Sequence, residues 1–344
     1  MKGIVFLGDR KLSLEEFPDP TPGPRDVILE IKASGMCGTD LGLYRRSAEA
    51  VTEAGLIIGG HEPCGVVAAV GSAVTEREAR VGDRVMDHHY DGCGVCRHCK
   101  SGWTQQCLDG AIVYGNRGGH GAHARYMKVP AHTLVPLPDE LSFEAGAAIA
   151  CGTGTAYGAL KRLGLEGDET IAIFGQGPVG LSATQLAHAM GARVIAIDPS
   201  APRREMALAR GADAVSDPQS DDPVEEIKAL THGEGAHKSL DATSSPEARR
   251  NAVRATRRFG TAALVGVGGD VTLKVLPDLI QRQLTLVGHQ TFSKNGQADC
   301  ARFIVERRID IDSLFTHKWR LDQAEEAYRL FDEQKTGKGV FQPA

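Results

Sequence analysis

The stretch from Thr170 to Gly180, TIAIFGQGPVG, restricts the possible folds of this chain more than any other. A short, apolar, β-prone run leads into Gly175, Gly177 and Gly180 in the pattern G-x-G-x-x-G, and a segment of helical period opens with Pro178 and Val179. Each glycine has its own steric reason. Gly175 allows the tight turn, Gly177 lets a pyrophosphate reach the backbone, and Gly180 lets helix and strand pack closely. The helix start offers unpaired N–H groups and a partial positive charge to phosphates. Glycine-rich turns are common, but here a second strand, RVIAID, ends in Asp198, 18 residues after Gly180. A carboxylate at that place accepts hydrogen bonds from an adenosine ribose and repels a 2′-phosphate, so NAD is expected over NADP. Arg204 reads as part of a solvated helix face.

Beyond this turn the chain alternates buried-type strands (DAVSD, KSLDAT, AALVGVGG, LTLVGHQ) with helical segments (PRREMALARGA, DPVEEIKALTHG, SPEARRNAVRATRRFG). That alternation predicts a parallel, doubly wound α/β sheet of six strands. Before about residue 150 the text is different: short strands such as DVILEIKASG and CGVVAAVGSAV lie between Gly/Pro turns, with little helical period. An antiparallel, barrel-like β domain is expected there. The expected organisation is residues 1–152, a nucleotide-binding domain over 153–289, and a segment 290–344 that returns to the first domain. A chain of 344 residues fits two such domains.

A net charge of −5 offers no basic face, so nucleic acid and anionic membrane are poor partners. No stretch reaches the 18 or so apolar residues of a membrane span, the N-terminus has no signal-peptide pattern, and a cytoplasmic location is expected. In a reducing compartment, clustered thiols are metal ligands or redox centres more often than disulfides. Four of the eight cysteines, Cys93, Cys96, Cys99 and Cys107, follow C-x2-C-x2-C-x7-C. Two-residue gaps let thiolates converge, and the fourth closes a tetrahedron, the shape zinc favours. An iron–sulfur cluster competes, although the ferredoxin run ends in C-x3-C-P. A closed four-thiolate site has no position for substrate and serves as scaffold. Cys64 and Cys300 read as buried, unreactive thiols.

Cys37 in ASGMCGTD, His61 and Glu62 in GGHEPCGVVAAVG, and Cys151 in CGTGTAYG supply the ligands of an open Cys2His site, although spacing alone does not bring them together. The run Gly60-His61-Glu62-Pro63-Cys64-Gly65, then Gly71 and Val74, resembles the G-H-E-x2-G-x5-G-x2-V pattern of zinc-containing medium-chain alcohol dehydrogenases. CGTD at 37 to 40, the four-cysteine loop and the nucleotide-binding half occur in that family's order, so the resemblance spans nearly the whole chain.

The resemblance implies a GroES-like, β-rich catalytic domain beside a Rossmann domain. It implies one catalytic zinc on Cys37, His61 and Cys151, with Glu62 beside it, and one structural zinc in the loop. It implies hydride transfer between an alcohol and NAD, with the Thr39 hydroxyl taking the alcohol proton and Val267 meeting the nicotinamide. Arg203 stands where NAD-using relatives also carry a base. Many relatives relay the proton through a histidine five residues after the first cysteine, but this chain has Gly42. His89 is expected to line the substrate pocket and partly replace that relay. With Asp87, His88 and Tyr90 it makes a polar wall that favours a secondary or polyol-like alcohol. Relatives acting on sorbitol or threonine usually carry an acid where Cys151 stands, which argues against those two substrates. A homo-oligomer is expected, tetramer before dimer. The competing expectations are a carbonyl reductase of the same fold and a non-enzymatic dinucleotide sensor.

Overall fold

The computed structural model describes residues 1–116 and 118–343. The chain divides into two compact units, Met1–Gly154 with Phe292–Ala344, and Thr155–Thr291.

The second unit is built on a parallel sheet. Among the described residues it has six strands, which in chain order are Thr170–Phe174, Arg193–Ile197, Ala214–Ser216, Ala236–Asp241, Thr256–Leu264 and Thr285–Gly288. Their spatial order is third, second, first, fourth, fifth, sixth. The first strand is wholly buried because helices cover both faces of the sheet, which is why it reads as an unbroken apolar run. Ile195, Ile197, Phe174, Val224, Ile227 and Ala252 form the core on one of these faces. The order reverses between the first and fourth strands, and their carboxyl ends carry Gly175 and Ala242 into the crevice that such sheets use for ligands. The segment that reads as one helix over 245–260 is helical only over Pro246–Ala255, and the fifth strand takes over at Thr256.

The first unit has a larger mixed sheet. Strand Asp26–Gly35 pairs antiparallel with Pro63–Val70 and, over its first half, with Tyr126–Pro130. Its last residues, Ser34 and Gly35, meet Phe341 and Val340 of strand Lys338–Phe341. At this end of the sheet Ser34 lies opposite Pro63. Cys37, the pair His61-Glu62 and Lys338 therefore leave adjacent strands at one place. Helices are more frequent here than the sequence indicates: Gly38–Arg45 and Phe143–Ile149 both form. The first is short and carries glycine at positions 38 and 42, which hides its period. It forms because the Asp40 carboxylate accepts the Cys37 N–H at 2.8 Å and so caps its first turn. Among the described residues no helix is long and apolar enough to cross a membrane.

Candidate active site and metal centres

Cys37 ends a loop after the strand, His61 and Glu62 precede the paired strand, and Cys151 stands just before helix Gly152–Leu163. The fold brings them together. One ligand atom from each of Cys37, His61, Glu62 and Cys151 lies within 4.8 Å of the others. Cys37 Sγ and Cys151 Sγ are 3.9 Å apart, and Cys151 Sγ is 3.5 Å from His61 Nε2. Zinc bonds of about 2.3 Å to sulfur and about 2.05 Å to nitrogen at tetrahedral angles give edges of about 3.8 and about 3.6 Å, so the donor set fits zinc. His61 turns Nε2 toward the thiols because Nδ1 is engaged, 3.0 Å from Asp40 Oδ1. A carboxylate only accepts, so Nδ1 carries the hydrogen and Nε2 is free to ligate. The Cys37 thiol is held well below its ordinary range by hydrogen bonding from Cys151, with the charge of His61 assisting. That is the state a metal ligand needs.

Glu62 and Lys338 form a buried pair with Oε2 to Nζ 2.5 Å, and the ammonium also donates to Met36 O at 3.3 Å. Burial raises Glu62 above the usual carboxylate range while Lys338 pulls it down. Oε1 of Glu62 is buried without a hydrogen-bond partner, the atom that remains for a metal. Asp40 and Lys338 are the residues that sequence reasoning missed. Asp40 lay inside the quoted CGTD, while Lys338 is 276 residues from its partner and has no local signal.

Thr39 is exposed, with Oγ1 3.9 Å from Cys37 Sγ. His89 is buried, its ring centroid 5.1 Å from that of His61. Its Nδ1 lies 3.1 Å from Ala150 O and must therefore donate, which leaves Nε2 as the acceptor. Burial, then the neighbouring His61 and His88, push His89 well below the ordinary imidazole range. Burial likewise lowers His88 to about 4 and raises Asp87 to about 7. These side chains are neutral in mildly acid solution. At Gly42 a Cβ would meet nothing within 4 Å.

In the four-cysteine loop, the Sγ atoms of Cys93, Cys96, Cys99 and Cys107 lie within 4.8 Å of one another. Backbone N–H groups donate to two of the sulfurs, Cys93 N to Cys107 Sγ at 3.2 Å and Cys96 N to Cys93 Sγ at 3.4 Å. Cys93 is exposed. Cys64 and Cys300 are buried and burial pushes both thiols up, as for inert core groups.

In the second unit the helix Pro178–Ala189 starts at Gly177, with Pro178 at its first position and Val179 next. A Cβ on Gly180 would come within 1.7 Å of Gly175 O, whereas one on Gly177 would meet open space. Gly180 thus serves packing, and Gly177 leaves the approach that a pyrophosphate needs. Asp198 is buried at the end of the second strand. Its Oδ2 accepts Gln176 N at 2.7 Å, and Oδ1 accepts Ser200 N at 2.8 Å. Arg203 stands 3.9 Å from that carboxylate, while Arg204 pairs with Asp217 at 3.0 Å. Val267 is 78% exposed, and its loop is tied down by Arg249, which donates to Gly266 O and Gly269 O and pairs with buried Asp241.

Residues 23–139 match the alcohol dehydrogenase GroES-like domain family and residues 178–306 the zinc-binding dehydrogenase family. The chain belongs to the zinc-containing medium-chain alcohol dehydrogenases. It is 35% identical to the uncharacterized zinc-type alcohol dehydrogenase-like protein YphC of Escherichia coli, over 99% of this chain and 98% of that one. It is 32% identical to a sorbitol dehydrogenase of Bacillus subtilis, over 95% of this chain and 92% of the relative. A solved NAD-dependent alcohol dehydrogenase is 29% identical, with a TM-score of 0.88 and both chains wholly covered. As a member of this zinc-containing family, the chain is an oxidoreductase with a GroES-like domain and a Rossmann sheet.

Proposed function

We propose that this dehydrogenase moves a hydride between a secondary or polyol-like alcohol and NAD, giving the ketone or aldehyde. The observation that carries this reading is the convergence of Cys37, His61 and Cys151 beside the buried histidines His88 and His89. Zinc bound by those three residues would supply a Lewis acid that eases ionisation of an alcohol, and NAD at Gly175–Gly180 would accept the hydride. Thr39 Oγ1 receives the alcohol proton. His89, neutral and with Nε2 bare, accepts a hydrogen bond from a second substrate hydroxyl. A base with so low a pKa holds a proton poorly, so His89 acts in recognition more than in proton transport. Lys338 balances Glu62 and keeps the net charge beside the metal from growing more negative.

The Asp198 carboxylate, pinned by two backbone N–H groups at the end of the strand that follows the glycine turn, would oppose a 2′-phosphate, and Arg203 is drawn toward it. Both features support NAD, which the 29% identical solved relative uses by its description. Cys151 supports an alcohol other than sorbitol or threonine, even though a relative is named for sorbitol. The first unit is the catalytic domain and the second the nucleotide domain, with one catalytic and one structural zinc per chain, in a cytoplasmic homo-oligomer for which a tetramer is preferred.

The test is a panel of diols, sugar alcohols and aromatic alcohols offered to the zinc-loaded protein with NAD and with NADP, following reduced nicotinamide. Oxidation of a polar secondary alcohol with at least about a tenfold preference in kcat/KM for NAD is expected, a difference of about 1.4 kcal/mol. Turnover of no alcohol with either cofactor overturns the reading.

A further inference from the structure

Arg249, on helix Pro246–Ala255, is buried, and each nitrogen of its guanidinium has its own partner. Nε donates to Asp241 Oδ2 at 3.2 Å, Nη1 to Gly269 O at 2.7 Å and Nη2 to Gly266 O at 2.6 Å. The other oxygen of Asp241 accepts the N–H and the hydroxyl of Thr243, at 3.0 and 2.6 Å. Asp241 is fully buried at the end of the fourth strand, so both charges of the pair are out of water.

A buried pair of this kind is costly unless its remaining donors and acceptors are satisfied. Here the donors left over reach two carbonyls of the loop after the fifth strand, one on either side of Val267 and Gly268. Both of those residues are exposed. Val265 N and Gly266 N hold the start of the loop by donating to Asp241 O at 2.9 and 3.1 Å. Arg249 holds its far end through Gly269. The loop also packs straight onto the backbone after the fourth strand, since a Cβ on Gly266 would lie 1.2 Å from Thr243 O.

The place of this loop gives the bonds a meaning beyond stability. Strand order reverses between the first and fourth strands. A dinucleotide with its adenosine ribose at Asp198 and its pyrophosphate at Gly177 has its other half across that crevice, toward the ends of the fourth and fifth strands. Val267 and Gly268 stand on that side. Thr243, bonded to Asp241, reaches the glycine turn as well, for a Cβ on Gly175 would come within 2.6 Å of Thr243 Cγ2.

Resting on the reading of Gly175–Gly180 and Asp198 as an NAD site, we propose that Arg249 is a positioning residue for the nicotinamide half of the cofactor. Its fork, anchored by Asp241, holds Val267 and Gly268 as the surface on which the nicotinamide and its ribose rest.

The experiment measures Kd by calorimetry on the full chain for NADH and for ADP, which carries the adenosine and both phosphates but neither the second ribose nor the ring. In Arg249→Met with Asp241→Asn, which removes both charges together, Kd for NADH is expected to rise about tenfold, the scale of one or two charge-assisted hydrogen bonds, while that for ADP stays within about twofold. Arg249→Lys keeps the charge beside Asp241 but loses the fork, and should still weaken NADH by about fivefold with ADP unchanged. In both variants KM for NAD should rise in step with Kd for NADH. NADH affinity unchanged in the folded variants overturns the proposal. Equal weakening of NADH and ADP also overturns it, since that is general loosening of the fold. Full recovery in Arg249→Lys overturns the role of the fork. If the double variant does not fold, Arg249→Lys decides by the same comparison of NADH with ADP. A wild-type chain that binds no NADH overturns the NAD reading itself, and this proposal with it.

Discussion

The two cysteine clusters of this chain are assembled in opposite ways. Cys93, Cys96, Cys99 and Cys107 lie within one loop, partly exposed, and their sulfurs receive backbone N–H groups from that same loop. Cys37, His61 and Cys151 come from separate elements, are half-buried or buried, and stand beside Asp40 and the buried Glu62–Lys338 pair. The local cluster can gather its ligands with little help from the fold, so its metal would organise the loop. The dispersed cluster is made by the fold, so its ligands are already in place. On the proposed reading, the same thiol chemistry would give a staple in one region and a reaction site in the other.

The strongest way to break this contrast is to remove one ligand from each region. Cys151→Ser should lower kcat/KM by about 10³-fold or more, the loss of several kcal/mol of Lewis-acid stabilisation. Metal analysis should fall from about two zinc to about one per chain. Equal activity in the variant would remove the site from the mechanism. Next comes Lys338→Met, which strands Glu62 in the interior. Breaking a buried pair in this way costs about 3–5 kcal/mol of stability, read from urea unfolding, and adding Glu62→Gln should return much of it. In the loop, Cys99→Ser should cost less: a fall in Tm of roughly 3–6 °C, on the scale of a kcal/mol or two, with the metal at Cys37 retained. If that variant lost both metals, the two regions would not be independent.

The smallest effect concerns the polar wall. Asp87 is fully buried and its folded pKa is raised to about 7 by desolvation, against an ordinary value of 3.8. A raised value means the folded state binds the proton more tightly. The stabilisation is therefore complete below about pH 4 and lost as pH climbs through about 7. Urea midpoints measured from pH 5 to 8 should decline with pH in the wild type and be flatter in Asp87→Asn. An unaltered slope in that variant would assign the decline to another group.

What could be read from the sequence follows the same division. The loop cysteines and the glycine turn were legible because their geometry is set within one short segment, where spacing has a direct spatial meaning. The strands of the parallel sheet were legible because burial on both faces leaves unbroken apolar runs. Cys37, His61 and Cys151 could be nominated by residue type, but their meeting depends on strand pairing that spacing does not encode. Lys338 had no signal at all, being a lysine in a polar C-terminal stretch. Helix Gly38–Arg45 was missed because its glycines mask the period and because its stability comes from Asp40 capping the chain at Cys37.

The return of the C-terminal segment has a consequence for synthesis on the ribosome. Cys37 and Cys151 emerge early, yet Lys338, which neutralises their neighbour Glu62, follows about 190 residues after Cys151. At about 5–20 residues per second, that leaves both thiols without their finished surroundings for roughly 10–40 s. During that interval the nascent chain is most vulnerable to oxidation or capture of the wrong ion.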